Sequence, residues 1–275
     1  MRRVPMLAAE PPGLGTYRSH NPGDDTALAE QAGAVWARFT AEAAYKELLD
    51  ALVERQLGLC GYCEQRVTDA AGDLIHQDYQ VEHVLPKSGG AGRVLDWQNV
   101  MLCCGGGTWP HHGEASRHTR AALTGANDSC GQAKGDDVLP AGTDPRQFPP
   151  LARLVEVAID GRVAPNVAAC TAAGIDPGDL ASAIDDVLHL NCERLRVSRR
   201  DIASNIAAWV VPLLQEMLDD SHLTSIQRDS LISLMVASRL QPDDNGYLRA
   251  FWTTERQFLP RADPWIAANS DRLNL

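Results

Sequence analysis

The chain is predicted to adopt an α+β, mostly helical fold, and three observations point there. Apolar residues recur at helical spacing near the start and through most of the C-terminal third. Between these stretches lies a region, 58–138, that carries cysteines and histidines and is poor in long periodic segments. Beyond it, "LVEVAIDGRVAPN" alternates apolar and polar residues about a central Asp-Gly, the pattern of a β-hairpin. The chain therefore divides into an N-terminal arm with helices over 1–57, a compact module over 58–138, and a β-hairpin with a C-terminal helical lobe over 139–275.

In order, residues 1–25 are rich in Pro and Gly and read as an extended arm. From Thr26 to Leu57, the spacing of Val35, Trp36, Phe39, Leu48, Leu49, Leu52 and Val53 predicts one helix or two, ending near Gly58. Short strands are expected at "RVT" and "YQVEHVLP", and a short helix near "VLDWQNVML". "TDPRQFPP" reads as a linker. Helices follow in "DPGDLASAIDDVLHL", which opens with turn and capping residues, then in "CERLRVSRRDIASNIAAWVVPLLQEML", "TSIQRDSLISLMVASRL" and "YLRAFWTTERQFL". Pro212 is expected to kink or interrupt the second of these. Trp36, Trp97, Trp209 and Trp252 read as core.

With 44% hydrophobic and 22% charged residues, the composition is that of a globular protein. Apolar runs such as "IAAWVVPLL" fall short of the roughly 20 residues that span a bilayer. The start, "MRRVPMLAAEPPGLG", makes a poor signal peptide, so a soluble cytoplasmic protein away from membranes is expected. A net charge of −11, spread over both halves, argues against tight unaided binding of nucleic acid, because phosphate contacts need Lys and Arg.

Seven cysteines are too few for a disulfide scaffold in a chain of 275 residues. The pair in "LCGYCEQR", Cys60 and Cys63, could be a redox couple, half of a metal site or two buried thiols; no βαβ pattern precedes it to support the first. Cys104 and Cys130 could supply two further thiolates and close a tetrahedral zinc site. Cys103 competes with Cys104 for that place, while Cys170 and Cys192 read as core residues.

The enclosed residues sharpen the reading. Glu82 and His83 are adjacent, Asn99 stands five residues before Cys104, and Lys134 follows Cys130 by four. This order resembles the zinc-bound HNH endonuclease motif. "EPPGLGTYR", "ALVERQLGLCGYCEQRV", "VEHVLPKS", "DWQNVMLCC", "CGQAKGD" and "VLHLNCERLRVSRR" are similar to successive landmarks of the PtuB-like HNH proteins of Septu and retron-associated anti-phage systems.

The resemblance implies a ββα-metal finger over 58–138, with Cys60, Cys63, Cys104 and Cys130 on a structural zinc. It also implies an endonuclease that cuts DNA with a catalytic magnesium or manganese ion, next to a PtuA-like ATPase partner subunit. His83 would be the general base, a role suited to imidazole near neutral pH. Glu82 would hold the catalytic ion, Asn99 would hold the loop or the imidazole, and Lys134 would meet a backbone phosphate. Lys87, in the glycine-rich "LPKSGGAGR", is a second phosphate candidate. Arg194, Arg196, Arg199 and Arg200 form the densest basic cluster, a candidate nucleic-acid contact or a solvated helix face.

One departure stands out. Where many HNH enzymes place a His or Asn ligand after the fourth cysteine, this chain has Gly131. Asp128, Gln132, or one of His111, His112 and His118 are the substitutes available nearby. Two other functions share the same residues: a zinc-stabilised binding or adaptor subunit without catalysis, and a nuclease acting on RNA or tRNA.

Overall fold

A computed structural model describes residues 1–76, 78–107 and 127–273. Residues 1–25 do not trail as an arm. Pro12 opens helix α1 (Pro12–His20), where its fixed φ suits the first turn, and a four-residue helix α2 (Pro22–Asp25) follows. Gly13 allows α1 to lie close against α4 (Ala43–Arg55): a Cβ there would stand 3.2 Å from the Ala44 Cα. Met1, Arg2 and Val4 are buried, and Arg2 Nη2 donates to the Gln56 carbonyl at 2.5 Å. The residues read as breakers are a helix start and a helix–helix contact.

The apolar run after Thr26 forms two helices, α3 (Ala32–Phe39) and α4, which bury Val35, Phe39, Leu48, Leu49, Leu52 and Val53. Leu57 and Gly58, both at positive φ, turn the chain out of α4. "RVT" contributes only isolated bridges, Leu59 to Arg66 and Thr68 to Leu74. Strand β1 (Tyr79–His83) pairs antiparallel with β2 (Val100–Cys104), setting Tyr79 opposite Cys104 and His83 opposite Val100. The short helix expected over 94–102 is instead a 3-10 turn, Trp97–Asn99, capped by Asp96 and running into β2. Every residue of β2 is buried, which rewards an extended apolar run over one more helical turn. Helix α5 (Cys130–Lys134) completes the module.

"TDPRQFPP" is packed rather than free. Thr143 and Pro145 are buried, the Val4 amide donates to the Pro145 carbonyl at 3.0 Å, and Arg146 bonds the Gln98 carbonyl. The expected hairpin forms from β3 (Val155–Val157) and β4 (Val163–Pro165). Helix α6 (Val167–Ala173) leads into α7 (Pro177–Ser182), which Asp176 caps and a wide turn, Ala183–Val187, extends. Helix α8 (Glu193–Asp219) runs 27 residues through Pro212 without a break. Ile206, Val210 and Met217, buried on one face, hold it across the missing N–H. Helix α9 (Ser225–Leu240) starts with a Thr224–Gln227 capping box. The region of "YLRAFWTTERQFL" is helical only over α10 (Trp252–Phe258), and α11 (Ala262–Leu273) lies beyond the expected helices.

Two apolar cores result. The larger gathers residues from Met1 to Leu195 and includes all four candidate ligand cysteines. The smaller joins Leu57 and Leu59 to α8, α9, α10 and α11 around Trp252. Trp36, Trp97 and Trp209 pack at the margins of these cores rather than fully inside. Among the described residues no helix is long and apolar enough to cross a membrane.

Candidate metal centre and catalytic strand

Two turns and a strand end bring the cysteines together. Gln56, at the end of α4, donates from Nε2 to the Leu59 and Leu102 carbonyls and accepts the Leu102 amide, tying the Cys60–Cys63 turn to β2. The Gly61 amide donates to the Leu102 carbonyl at 2.9 Å, and a Cβ on Gly61 would stand 2.7 Å from Met101 Sδ. Cys104 ends β2, while Cys130 opens α5 with its amide on the Leu188 carbonyl.

The sulfurs of Cys60 and Cys130 are 3.8 Å apart, those of Cys63 and Cys104 3.7 Å, and those of Cys104 and Cys130 3.8 Å. All four lie within 4.8 Å of one another and all four residues are buried. Zinc bonds thiolate at about 2.3 Å, so a tetrahedron of sulfurs around it has edges of about 3.8 Å. The cluster fits that ion. Buried thiols do not readily shed protons unaided: burial holds the Cys130 thiol well up, whereas at Cys60 the neighbours' hydrogen bonds outweigh burial and pull the thiol down. A divalent ion would make all four thiolates. Cys103 is buried beside the cluster outside the four, and Cys170 is fully buried, whereas Cys192 is half-buried.

The other end of the β1/β2 hairpin carries the catalytic candidates. His83 is 6% exposed, its ring edge-on to Trp36 at 4.6 Å between centroids. Its Nε2 lies 3.0 Å from the Val94 carbonyl. A carbonyl only accepts, so Nε2 carries the proton and Nδ1 keeps its lone pair. Burial pulls the His83 pKa down to about 4, which leaves the ring neutral near pH 7. Asn99 clamps the backbone that follows the histidine: its Oδ1 accepts the Leu85 amide and its Nδ2 donates to the Leu85 carbonyl, both at 2.8 Å. Of the two roles expected for Asn99, the structure has it holding the loop.

Glu82 faces α5. Its Oε1 is 3.0 Å from Lys134 Nζ, and the Tyr62 hydroxyl is 3.5 Å from the same oxygen. Burial raises the Glu82 pKa against the opposing pull of Lys134. Lys134 is itself buried, at 1% exposure, and also donates to the His83 carbonyl at 3.3 Å. This corrects the expected phosphate contact: the ammonium faces a carboxylate inside the protein. Lys87 is half-buried on a 3-10 turn, Lys87–Gly89, close enough for its charge to act on Glu82 and His83.

Gly131 has a steric reason. A Cβ there would lie 2.2 Å from Gln80 Nε2 and 2.4 Å from Glu82 Oε2, so no ligand side chain fits without displacing both. Gln132 is engaged with Gln80 at 2.8 Å, and Asp128 is half-buried before α5. His111, His112 and His118 lie outside the described residues. Among the described residues, the four cysteines are the one group of three or more His, Cys, Asp or Glu side chains placed to share an ion. Among the described residues, Glu82 belongs to no such group.

Half of the basic cluster is turned away from solvent, while Arg200 is exposed. Arg194 and Arg199 are buried, and Arg196 pairs with Asp160 and Glu193. The part that three residues play in holding the site escaped the sequence reading. Gln56 gave no signal, and Arg194 read only as part of a basic cluster, because their partners are distant backbone and side-chain groups. Glu64, at positive φ, accepts the Thr253 amide at 2.7 Å and its hydroxyl at 2.5 Å, and so caps α10 from the cysteine turn. No protein-family model matches the chain, and no curated protein matches it significantly.

Proposed function

We propose that this chain is a metal-dependent HNH-type endonuclease that hydrolyses phosphodiester bonds of DNA, the effector nuclease of an anti-phage defence system. The observation that carries the reading is a neutral, singly anchored imidazole that follows a buried carboxylate in one strand, on a hairpin whose other end meets a complete zinc-type sulfur cluster. The chain order of strand, strand and short helix supports a ββα-metal finger.

In this reading Val94 fixes the His83 tautomer, and Nδ1 accepts the proton of the attacking water. Asn99 keeps the backbone after His83 from shifting during that transfer. The buried base must first be uncovered, so Trp36 has to move from its edge. Magnesium or manganese is bound by one or two carboxylates and completes its shell with water and substrate phosphate, so Glu82 is the side chain that would hold one arriving with substrate, and the ion would stabilise the leaving oxygen.

The net charge of −11 favours borrowed affinity: a basic partner, in this reading an ATPase subunit, brings the nucleic acid. The test is nicking of supercoiled plasmid with magnesium or manganese, with and without that partner, by the wild type and by His83→Ala. Loss of a general base typically costs about 10²–10⁴ in rate. Equal nicking by the two proteins refutes the assignment, and cleavage of RNA in place of plasmid moves the substrate to RNA.

A second reading, a zinc-stabilised adaptor without catalysis, is favoured by the burial of His83 and the absence of room for a ligand at Gly131. It requires one zinc per chain and no cleavage with either divalent ion, partner present or not.

A further inference from the structure

Helix α8 sends a cation to the sulfur cluster. Arg194, in its first turn, is 3% exposed. Its Nη2 donates to Ser129 Oγ and its Nη1 to Gln65 Oε1, both at 2.7 Å, while its Nε has no hydrogen-bond partner among the described residues. Both partners adjoin ligands: Ser129 precedes Cys130, and the Gln65 amide donates to Cys63 Sγ at 3.4 Å. The glycine run after Cys104 makes room for the guanidinium. Gly107 sits at φ +83, and a Cβ there would come 2.8 Å from Arg194 Nε.

Among the described residues no carboxylate pairs with Arg194, and a buried cation with neutral partners alone is costly. Four thiolates around one divalent ion carry two surplus negative charges, and burying those is costly as well. Each charge offsets the other in a medium of low dielectric.

We propose that Arg194 is the built-in counter-charge of the sulfur-bound ion, a positioning residue by which the C-terminal lobe strengthens metal binding in the cysteine module. This rests on the zinc reading of the four cysteines. Burial pulls the Arg194 pKa down, but the negative charge that the neighbouring sulfurs carry once deprotonated outweighs it, and the net direction is up. Five residues on, Arg199 is a second buried guanidinium held by neutral groups, the Leu190 and Gly161 carbonyls and the face of Phe251. The arginine cluster of α8 thus has its two buried members turned inward, where phosphate does not reach.

The full-length wild type, Arg194→Met, Arg194→Gln and Arg194→Lys are loaded with zinc, and affinity is read by competition with a chelator. Melting of the metal-free and loaded forms is read in parallel. The uncharged variants are expected to bind zinc about 10- to 100-fold more weakly, the usual scale for residues around a metal's own ligands. Arg194→Lys should recover much of the loss. The metal-free form should not be destabilised by Arg194→Met, since it no longer buries an uncompensated charge. Gln serves if Met does not fold.

Wild-type affinity in the folded uncharged variant overturns the proposal, as does an equal loss of melting temperature with and without metal. A wild type that takes up zinc tightly while the variants match it sinks this inference alone. A wild type that takes up no zinc sinks the zinc reading and this inference together.

Discussion

The two ends of the β1/β2 hairpin have been built to different standards. At the Tyr79–Cys104 end, four sulfurs stand at the spacing of a zinc tetrahedron, supported by Gln56, Gln65 and Arg194. At the His83–Val100 end, the carboxylate is neutralised by the chain's own Lys134 and the imidazole is covered by Trp36. Helix α5 touches both, beginning at Cys130 and ending at Lys134. The difference is what the proposed function would require of each end. A structural ion contributes to folding only if its whole ligand set converges, whereas a reactive pair is safest with its charge paired and its base covered.

Breaking the sulfur end should have the largest effect. Cys63→Ser is expected to abolish uptake of one zinc per chain and to remove the cooperative melt of the larger core. Apparent zinc binding in small fingers is on the order of 10–16 kcal/mol, more than the whole stability of a typical domain. Metal analysis with a thermal melt checks this, and a Cys63→Ser protein that keeps its zinc would show that the four sulfurs do not act as one site.

At the other end, Lys134→Met leaves Glu82 buried without its partner, at a cost of about 3–5 kcal/mol. Adding Glu82→Gln should return a good part of that loss, and zinc content should stay unchanged in both proteins. Urea unfolding of the single and double variants measures it. If Lys134→Met alone is as stable as the wild type, the pair does not hold α5 to the hairpin.

The smallest change is in the loop behind His83. Asn99→Ala strands the Leu85 amide and carbonyl, for a loss of about 1–3 kcal/mol. Hydrogen exchange at Leu85 and Val84 should quicken while the cysteine turn keeps its protection. Faster exchange at both ends alike would mean that the hairpin opens as one unit and that the contrast drawn between its ends does not hold.

Much of the sulfur end was legible because spacing carries the information. Cys60-x-x-Cys63 folds as a tight turn, and the two further cysteines meet it, with Cys104 rather than Cys103 in the cluster. The hairpin at Asp160-Gly161 was legible for a similar local reason, since alternation and turn chemistry lie within a dozen residues. The N-terminal segment misled because Pro and Gly are ambiguous locally: Pro12 starts a helix and Gly13 permits a close crossing, and both depend on α4 being there. Lys134 misled for the opposite reason. A lysine reads as solvated until a buried carboxylate is placed against it.

The sequence by itself determined most helical and strand periodicities, the α+β class, the Cys60-x-x-Cys63 pair and the adjacency of Glu82 and His83. These rest on backbone period and ligand spacing, which are local properties of the chain. Only the tertiary structure decided that Gly131 leaves no space for a ligand, that Lys134 faces Glu82, and that α8 turns Arg194 toward the sulfurs. Those are matters of charge and volume between segments far apart in sequence, and they are settled only when the segments are packed together.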